Sequence, residues 1–281
     1  MEENTDQIIP EIANFDFVRD IKKAKQIGFR QVKGTIHTSQ TILSENAAIL
    51  IEKIVTSAGV WNRENLTQSI VANNIFGKRT DSARAGALRD MISLYGFDAP
   101  PSATKALLSL WNATSNRPLL LGQLAVARDP ILRATLPVIL SMQPGEAAGF
   151  RTMSAYLEGV YPGRFSGGTL RAVGERCISS WGQMGHLRPG RVRERVAVIA
   201  DSTHAAFASF LAICCGFTGQ AILKSGWFRM LDLSSEQAMS LLRRAEAEGQ
   251  LRLHIAGHVF EISLSGELET LKQGKCGDGF I

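Results

Sequence analysis

Between Arg164 and Arg195 the chain places seven arginines (164, 171, 176, 188, 191, 193 and 195) against two acids, Glu175 and Glu194. The resulting local charge of +5 equals the formal net charge of all 281 residues. Guanidinium groups recognise phosphate oxygens and guanine edges through paired, charge-assisted N–H donors, so the chemistry this cluster offers is polyanion recognition. The spacing within Thr169–Met184 sharpens that reading. Leu170, Val173, Cys177, Trp181 and Met184 recur at the helical period and mark a buried stripe, while Arg171, Glu175, Arg176, Ser179 and Gln183 fall on the opposite face. Arginine, serine and glutamine are residue types that bond phosphates and base edges. Arg171, Arg176, Ser179 and Gln183 are therefore the expected groove-facing set. Arg188, Arg191, Arg193 and Arg195, in the turn that follows, are the expected phosphate contacts. A solvated basic surface with Glu175 and Glu194 in exposed ion pairs is the competing reading.

A second candidate surface is Lys78, Arg79 and the helix beginning at Asp81. Ala85, Leu88, Met91, Ile92 and Tyr95 form its inner stripe, and Ser82, Gly86, Arg89 and Ser93 face out. Lys78, Arg79 and Arg89 are its expected DNA contacts. Arg84 lies nearer the apolar side, where its stem can snorkel along the core edge. Other candidates for chemistry are weaker. Gly219–Ser225 (GQAILKS) approaches a phosphate loop but has Leu223 where the second glycine belongs, so the backbone nest is missing. Asp201–His204 (DSTH) could be an acid–hydroxyl–base cluster, but a helix start capped by Asp201 or Ser202 is the simpler expectation. The five histidines (37, 186, 204, 254, 258) share no metal-ligand spacing, and no nucleophile-elbow, zincin or dinucleotide-binding motif occurs. No enzyme activity, cofactor or metal is expected.

The elements that must hold these residues are mostly helices. Ser44 opens one helix, Asn62 caps a second, and Thr80 caps a third that ends near Tyr95 before Gly96. With the basic loop NNIFGKR between the last two, this is helix-turn-helix organisation. Helices over about 102–113 and 119–142 follow, the latter broken by Pro130 and Pro137 into short kinked pieces. A helix over 145–159, the basic helix to Met184, and a Pro189–Gly190 turn into a strand-like limb come next. The apolar run Ala205–Leu223 is too short for the ~20 apolar residues of a membrane span and is expected as a core helix. At the end, Ser234 and Gln237 form a capping box, Gly249 closes the helix, and QLRLHI and HVFEISL alternate about Ala256–Gly257 as a hairpin.

The fold class is thus mainly α, with helix-turn-helix or winged-helix units and one or two short β-hairpins. Five regions are expected: a solvated extension (1–38), a helix-turn-helix-like unit (39–100), a central helical region with the basic helix and wing (101–200), a winged-helix-like unit (201–265) and a flexible tail (266–281). Residues 1–20 carry six acids against Arg19, so the positive charge lies elsewhere. Cys177, Cys214, Cys215 and Cys276 have no disulfide or zinc spacing and read as thiols of a reducing cytoplasm. No signal peptide opens the sequence. The acids of the C-terminal helix, Glu236, Glu246 and Glu248, favour packing or protein docking there over DNA contact.

Three stretches carry a family resemblance. ENLTQSIVANNIFGKRTDSARAGALRDMISLYGF (64–97), SGGTLRAVGERCISSWGQMGHL (166–187) and LLRRAEAEGQLRLHIAGHVFEISL (241–264) resemble the BrxA-like family of BREX phage-defence systems, over roughly residues 40–265. The resemblance implies a non-enzymatic cytoplasmic component that binds double-stranded DNA alongside other defence-system proteins. The family has also carried an inner-membrane label, which the hydropathy here does not support. It supplies no catalytic residues. The expectation is a DNA-binding accessory protein, with a protein-interaction scaffold lacking any direct DNA role as the alternative.

Overall fold

The structure, a computed structural model, describes residues 16–31, 41–56, 61–257 and 259–272. The acidic start before residue 16, Lys33, His37, His258, Cys276 and the tail beyond Lys272 lie outside the described residues.

The N-terminal helices begin where side-chain oxygens can satisfy free backbone N–H groups. Asp20 caps α1 (Ile21–Gln26), and α2 spans Ser44–Thr56. Asn62 Oδ1 accepts from Asn65 N at 2.8 Å to open α3 (Arg63–Thr67), which runs into a π-helical turn at Gln68–Ala72. Thr80 caps α4 (Asp81–Tyr95), and Gly96, at φ 67°, ends it in the left-handed conformation that glycine adopts without strain.

The proline-punctuated middle separates as the sequence predicts. After α5 (Ser102–Leu110) come α6 (Arg117–Arg128), α7 (Pro130–Ala134) and α8 (Leu136–Ser141). Pro130 and Pro137 each sit in the first turn of a new helix, where a missing N–H costs nothing. Helix α6 is buried from Leu119 to Arg128, so its leucines form the centre around which other helices pack.

The helix expected from Gly145 starts five residues later, as α9 (Phe150–Val160), and α10 (Gly167–Gln183) follows with Ser166 as its cap. Residues 145–148 are instead drawn into an extended pairing. Gly145 N donates to Arg195 O (2.9 Å), Arg195 N to Glu146 O (2.8 Å) and Ala148 N to Arg193 O (2.7 Å). On its other side the 193–195 limb pairs with residues 187–188, through Arg188 N to Glu194 O at 2.8 Å. Two bridges, Ala147↔Glu194 and Leu187↔Arg195, are all the regular pairing this limb makes. The strand expected beyond them does not form, and Ile199 is exposed.

Helix α11 (Ser202–Cys214) is buried on nearly every side and ends earlier than its apolar run suggests. Gly216 turns the chain at φ 91°, tight against the backbone of Asp20. Short helices α12 (Ala221–Lys224) and α13 (Gly226–Arg229) lead to α14 (Ser235–Ala247), whose Ser234–Gln237 capping box is formed. Strands β1 (Leu251–Ala256) and β2 (Val259–Leu264) pair antiparallel in the register Leu251↔Leu264.

Two segments expected in solvent belong to the core. Residues 266–272 form α15 (Gly266–Lys272) rather than the start of a flexible tail, because Leu268 and Leu271, three apart, both reach the core. Near the other terminus, Phe17 meets Trp227 edge-on at 4.9 Å and accepts its indole N–H at 2.9 Å. Phe17, Ile27 and Phe29 are buried anchors without helical spacing, which periodicity cannot reveal. One hydrophobic cluster runs from Phe17 to Leu271. The architecture is mainly helical, with one small two-stranded antiparallel sheet among the described residues. No helix among them is long and apolar enough to cross a membrane.

Candidate nucleic-acid interface

Helix α10 presents the faces its periodicity predicts. Val173, Cys177, Trp181 and Met184 are buried, and Leu170 is half-buried. Trp181 Nε1 donates to Thr135 Oγ1 at 2.8 Å. Met184 lies flat on Gly122 of α6, where an added Cβ would come within 2.3 Å of it. Helix α9 closes on α10 at Gly174, where a Cβ would sit 2.7 Å from Ser154 Oγ. These contacts fix which face of α10 turns outward.

The outward face is basic in its first half and occupied in its second. Arg171 is well exposed, pairs with Glu175 at 2.9 Å and lies over the Phe150 ring at 4.8 Å. Arg176 and Ser179 are half-buried. Gln183 does not face a groove: its Oε1 accepts from the N–H of Ser44 (2.9 Å) and the Ser44 hydroxyl (3.1 Å), satisfying the start of α2. Ser180 Oγ likewise accepts from Ile42 N at 3.2 Å. Residues 42–44 therefore cover the C-terminal half of the face assigned to DNA.

The four arginines after α10 divide by position. Arg188 is exposed and pairs with Glu194 at 3.3 Å, and Arg191 is exposed. Arg193 folds back over Gly182, and its Nη1 donates to Ile178 O at 3.1 Å. Arg195 is buried: its Nε donates to Ile139 O at 3.0 Å and its Nη2 pairs with Asp232. Arg193 and Arg195 are thus committed within the fold, which corrects their assignment as phosphate contacts. The cause is the two-residue period of an extended limb, which sends alternate side chains to the same side, here inward. Within the paired limb the order Arg193–Glu194–Arg195 carried that signal, masked by its charge, while Arg191 lies in the turn before it.

In the N-terminal unit Arg79 and Arg89 are exposed and Lys78 is half-buried. The Lys78 backbone is held by Asn74, which accepts its N–H at 2.7 Å and donates to its carbonyl at 3.0 Å. Arg84 pairs with Asp81 at 3.3 Å and donates to Lys78 O, tucked along the helix as its position suggested. Arg164, outside the expected set, is also exposed, in the turn that delivers α10. The charge count included it, but no helical face did.

Two further arginines, Arg128 buried and Arg133 half-buried, carry no signature in the sequence. Arg128 donates to the carbonyls of Ile92, Ser93 and Gly28 at 3.4–3.5 Å, and burial, then the nearby Arg30, pulls its guanidinium down to about 9. Arg133 donates to Val126 O at 2.7 Å and stacks over Phe29 at 4.1 Å. Both stand at helix C-terminal ends, where a cation complements the dipole and the last carbonyls.

The Asp201–His204 cluster is a helix cap. His204 is fully buried, its Nδ1 lies 2.6 Å from Asp201 Oδ1, and its Nε2 lies 3.0 Å from Asn116 O. Burial works to raise the Asp201 pKa, but hydrogen bonds from His204 and Thr114 outweigh it and hold the carboxyl at about 2. Cys177, Cys214 and Cys215 are buried thiols, and burial pushes Cys214 up to about 12. Among the described residues no three His, Cys, Asp or Glu side chains are placed to hold a metal ion. Comparison with protein-family models, with curated proteins and with solved structures found no match.

Proposed function

We propose that the protein is a non-enzymatic accessory protein that binds double-stranded DNA, of the phage-defence kind its sequence resembles. The observation that carries the reading is the setting of α10. Its exposed Arg171 stands between the Arg164 turn and the loop bearing Arg188 and Arg191. That loop returns through a limb paired on both sides, with residues 145–148 and with 187–188. The chain order, a helix, an extended limb, two helices, then two limbs around a loop, supports a winged-helix reading of this unit. In such units the second helix of the pair enters the major groove and the loop lies on the backbone. Pairing of Arg171 with Glu175 and of Arg188 with Glu194 does not oppose this. Exposed ion pairs are worth only about 0–1 kcal/mol, so either arginine can exchange its partner for a phosphate.

The other two units take supporting roles. The turn and α4 offer Arg79 and Arg89, with Lys78 behind them, as further phosphate contacts in a helix-turn-helix arrangement. Helices α11, α13 and α14 followed by the β1–β2 hairpin repeat a winged-helix order. The exposed Glu236, Glu246 and Glu248 favour protein docking for that unit, which is the observation behind the scaffold alternative.

The test is binding of purified protein to a labelled duplex of random sequence, comparing the wild type with Arg171→Glu/Arg191→Glu. Two charge reversals at phosphate contacts should weaken binding by more than about tenfold. Arg243→Glu on α14 should leave it unchanged. Equal affinity for the wild type and the double variant would remove α10 from the interface.

A further inference from the structure

The segment before α2, expected as a solvated extension, delivers an arginine to α4. Arg30 N donates to Ala127 O at 3.0 Å, and Arg30 O accepts from Arg133 Nη2 at 2.5 Å. The backbone of Arg30 is thus held from both sides at the end of α6. Its side chain stays exposed, with Nη1 3.5 Å from Ser93 Oγ. Ser93 shares the outward face of α4 with Gly86 and Arg89. The Arg89 guanidinium lies over Gly86, 3.7 Å from where a Cβ would stand. From Gly86 to Ser93 the helix axis rises about 10 Å, and an arginine stands at each end.

Other exposed arginines, Arg19, Arg63 and Arg244 among them, are matched by carboxylates. Arg30 and Arg89 are exposed and form no ion pair among the described residues. The acids around them are occupied: Asp81 pairs with Arg84, Asp98 pairs with Arg63, and half-buried Asp90 is already engaged. The carbonyl end of α4 would repel an anion, but buried Arg128 donates to Ile92 O and Ser93 O and covers it. Between the arginines the face shows Ser82, Gly86 and Ser93, with no apolar anchor of the kind a protein interface is built around. Guanidiniums and hydroxyls are donors that phosphate oxygens accept from. We propose that Arg30 is a phosphate contact of the duplex, added by the N-terminal segment to the face of α4, with the Ser93 hydroxyl beside it. This contact rests on the duplex binding proposed above and lies outside α10.

The experiment measures affinity for the random duplex across a salt series for the wild-type full chain, Arg30→Gln, Arg30→Lys and the control Arg243→Gln. As one further phosphate contact, Arg30 adds about 0.9 to the magnitude of the salt slope. Arg30→Gln should therefore lose about 0.9 of that slope and bind about fivefold more weakly near 0.15 M salt. Arg30→Lys should keep the slope, and Arg243→Gln should match the wild type. The melting temperature of Arg30→Gln should not move, because its backbone bonds do not use the side chain. Wild-type binding by Arg30→Gln would overturn the proposal and leave duplex binding standing. Weaker binding with an unchanged slope would mean a packing role and overturn it equally. A wild-type chain that binds no duplex would instead remove the α10 reading, and this contact with it.

Discussion

Arg191 and Arg195 lie four residues apart in one basic run and have opposite fates. Arg191 is exposed, so charge reversal there should move stability by no more than about 0.5 kcal/mol while weakening DNA binding. Arg195 is buried on carbonyls and on Asp232, so Arg195→Leu would strand a carboxylate in a poorly solvated place. Breaking such a pair costs about 3–5 kcal/mol, and urea denaturation should show a loss of that order. An unaltered midpoint would mean that the pair does not hold the limb to the α13–α14 junction. His186 sits beside it, its Nε2 on Met230 O at 2.7 Å and its Nδ1 without a partner among the described residues. That arrangement suits the neutral ring. Burial first, and then Arg195, depress its pKa to about 4 from the usual 6.5, although the bond to Met230 works the other way. The unfolded chain therefore binds the extra proton between these values, and stability should fall as pH drops from 6.5 toward 4. His186→Phe should flatten that part of the stability profile, and an unchanged acid slope would refute the assignment.

At the scale of elements, α10 is set by two glycines in other packing partners' way. Gly174 admits α9 and Gly122 admits Met184. Gly174→Val would force the α9 pair apart, at a cost of about 1–3 kcal/mol from overpacking, readable as a lower melting temperature. The same change should weaken DNA binding by displacing Arg171. Caps were legible in the sequence: Asn62, Thr80 and Ser234 accept the expected backbone N–H groups, and of the candidates Asp201 and Ser202 it is Asp201 that caps α11. So was the hairpin, whose alternation is strict. What failed depended on tertiary contact. Residues 145–148 have no pattern of their own and become extended because the 193–195 limb supplies partners. The core helix expected over Ala205–Leu223 stops at Cys214, since Gly216 must clear Asp20, a residue nearly two hundred positions away. Of the expected DNA set, Arg171 and Arg89 were readable from helical phase, and Arg79, Arg188 and Arg191 from their place in polar turns. Gln183, Arg193 and Arg195 were not, because each is claimed by a distant carbonyl, carboxylate or amide.

The whole molecule has one continuous core, from Phe17 against Trp227 to Leu271, carrying the basic face near its middle in sequence. Direct electrostatic binding of duplex DNA has salt dependence as its signature, because each phosphate engaged releases condensed counterions. The decisive measurement is therefore the affinity of the purified full chain for a random duplex across a salt series. Arg164, Arg171, Arg188 and Arg191 are exposed on and beside α10, and Arg79 and Arg89 are exposed in the N-terminal unit. Log affinity should therefore fall linearly with log salt at a slope of roughly −5, about 0.9 for each phosphate engaged. The Arg171→Glu/Arg191→Glu chain should show a shallower slope. Absence of binding at the lowest salt, or an affinity indifferent to salt, would contradict the account.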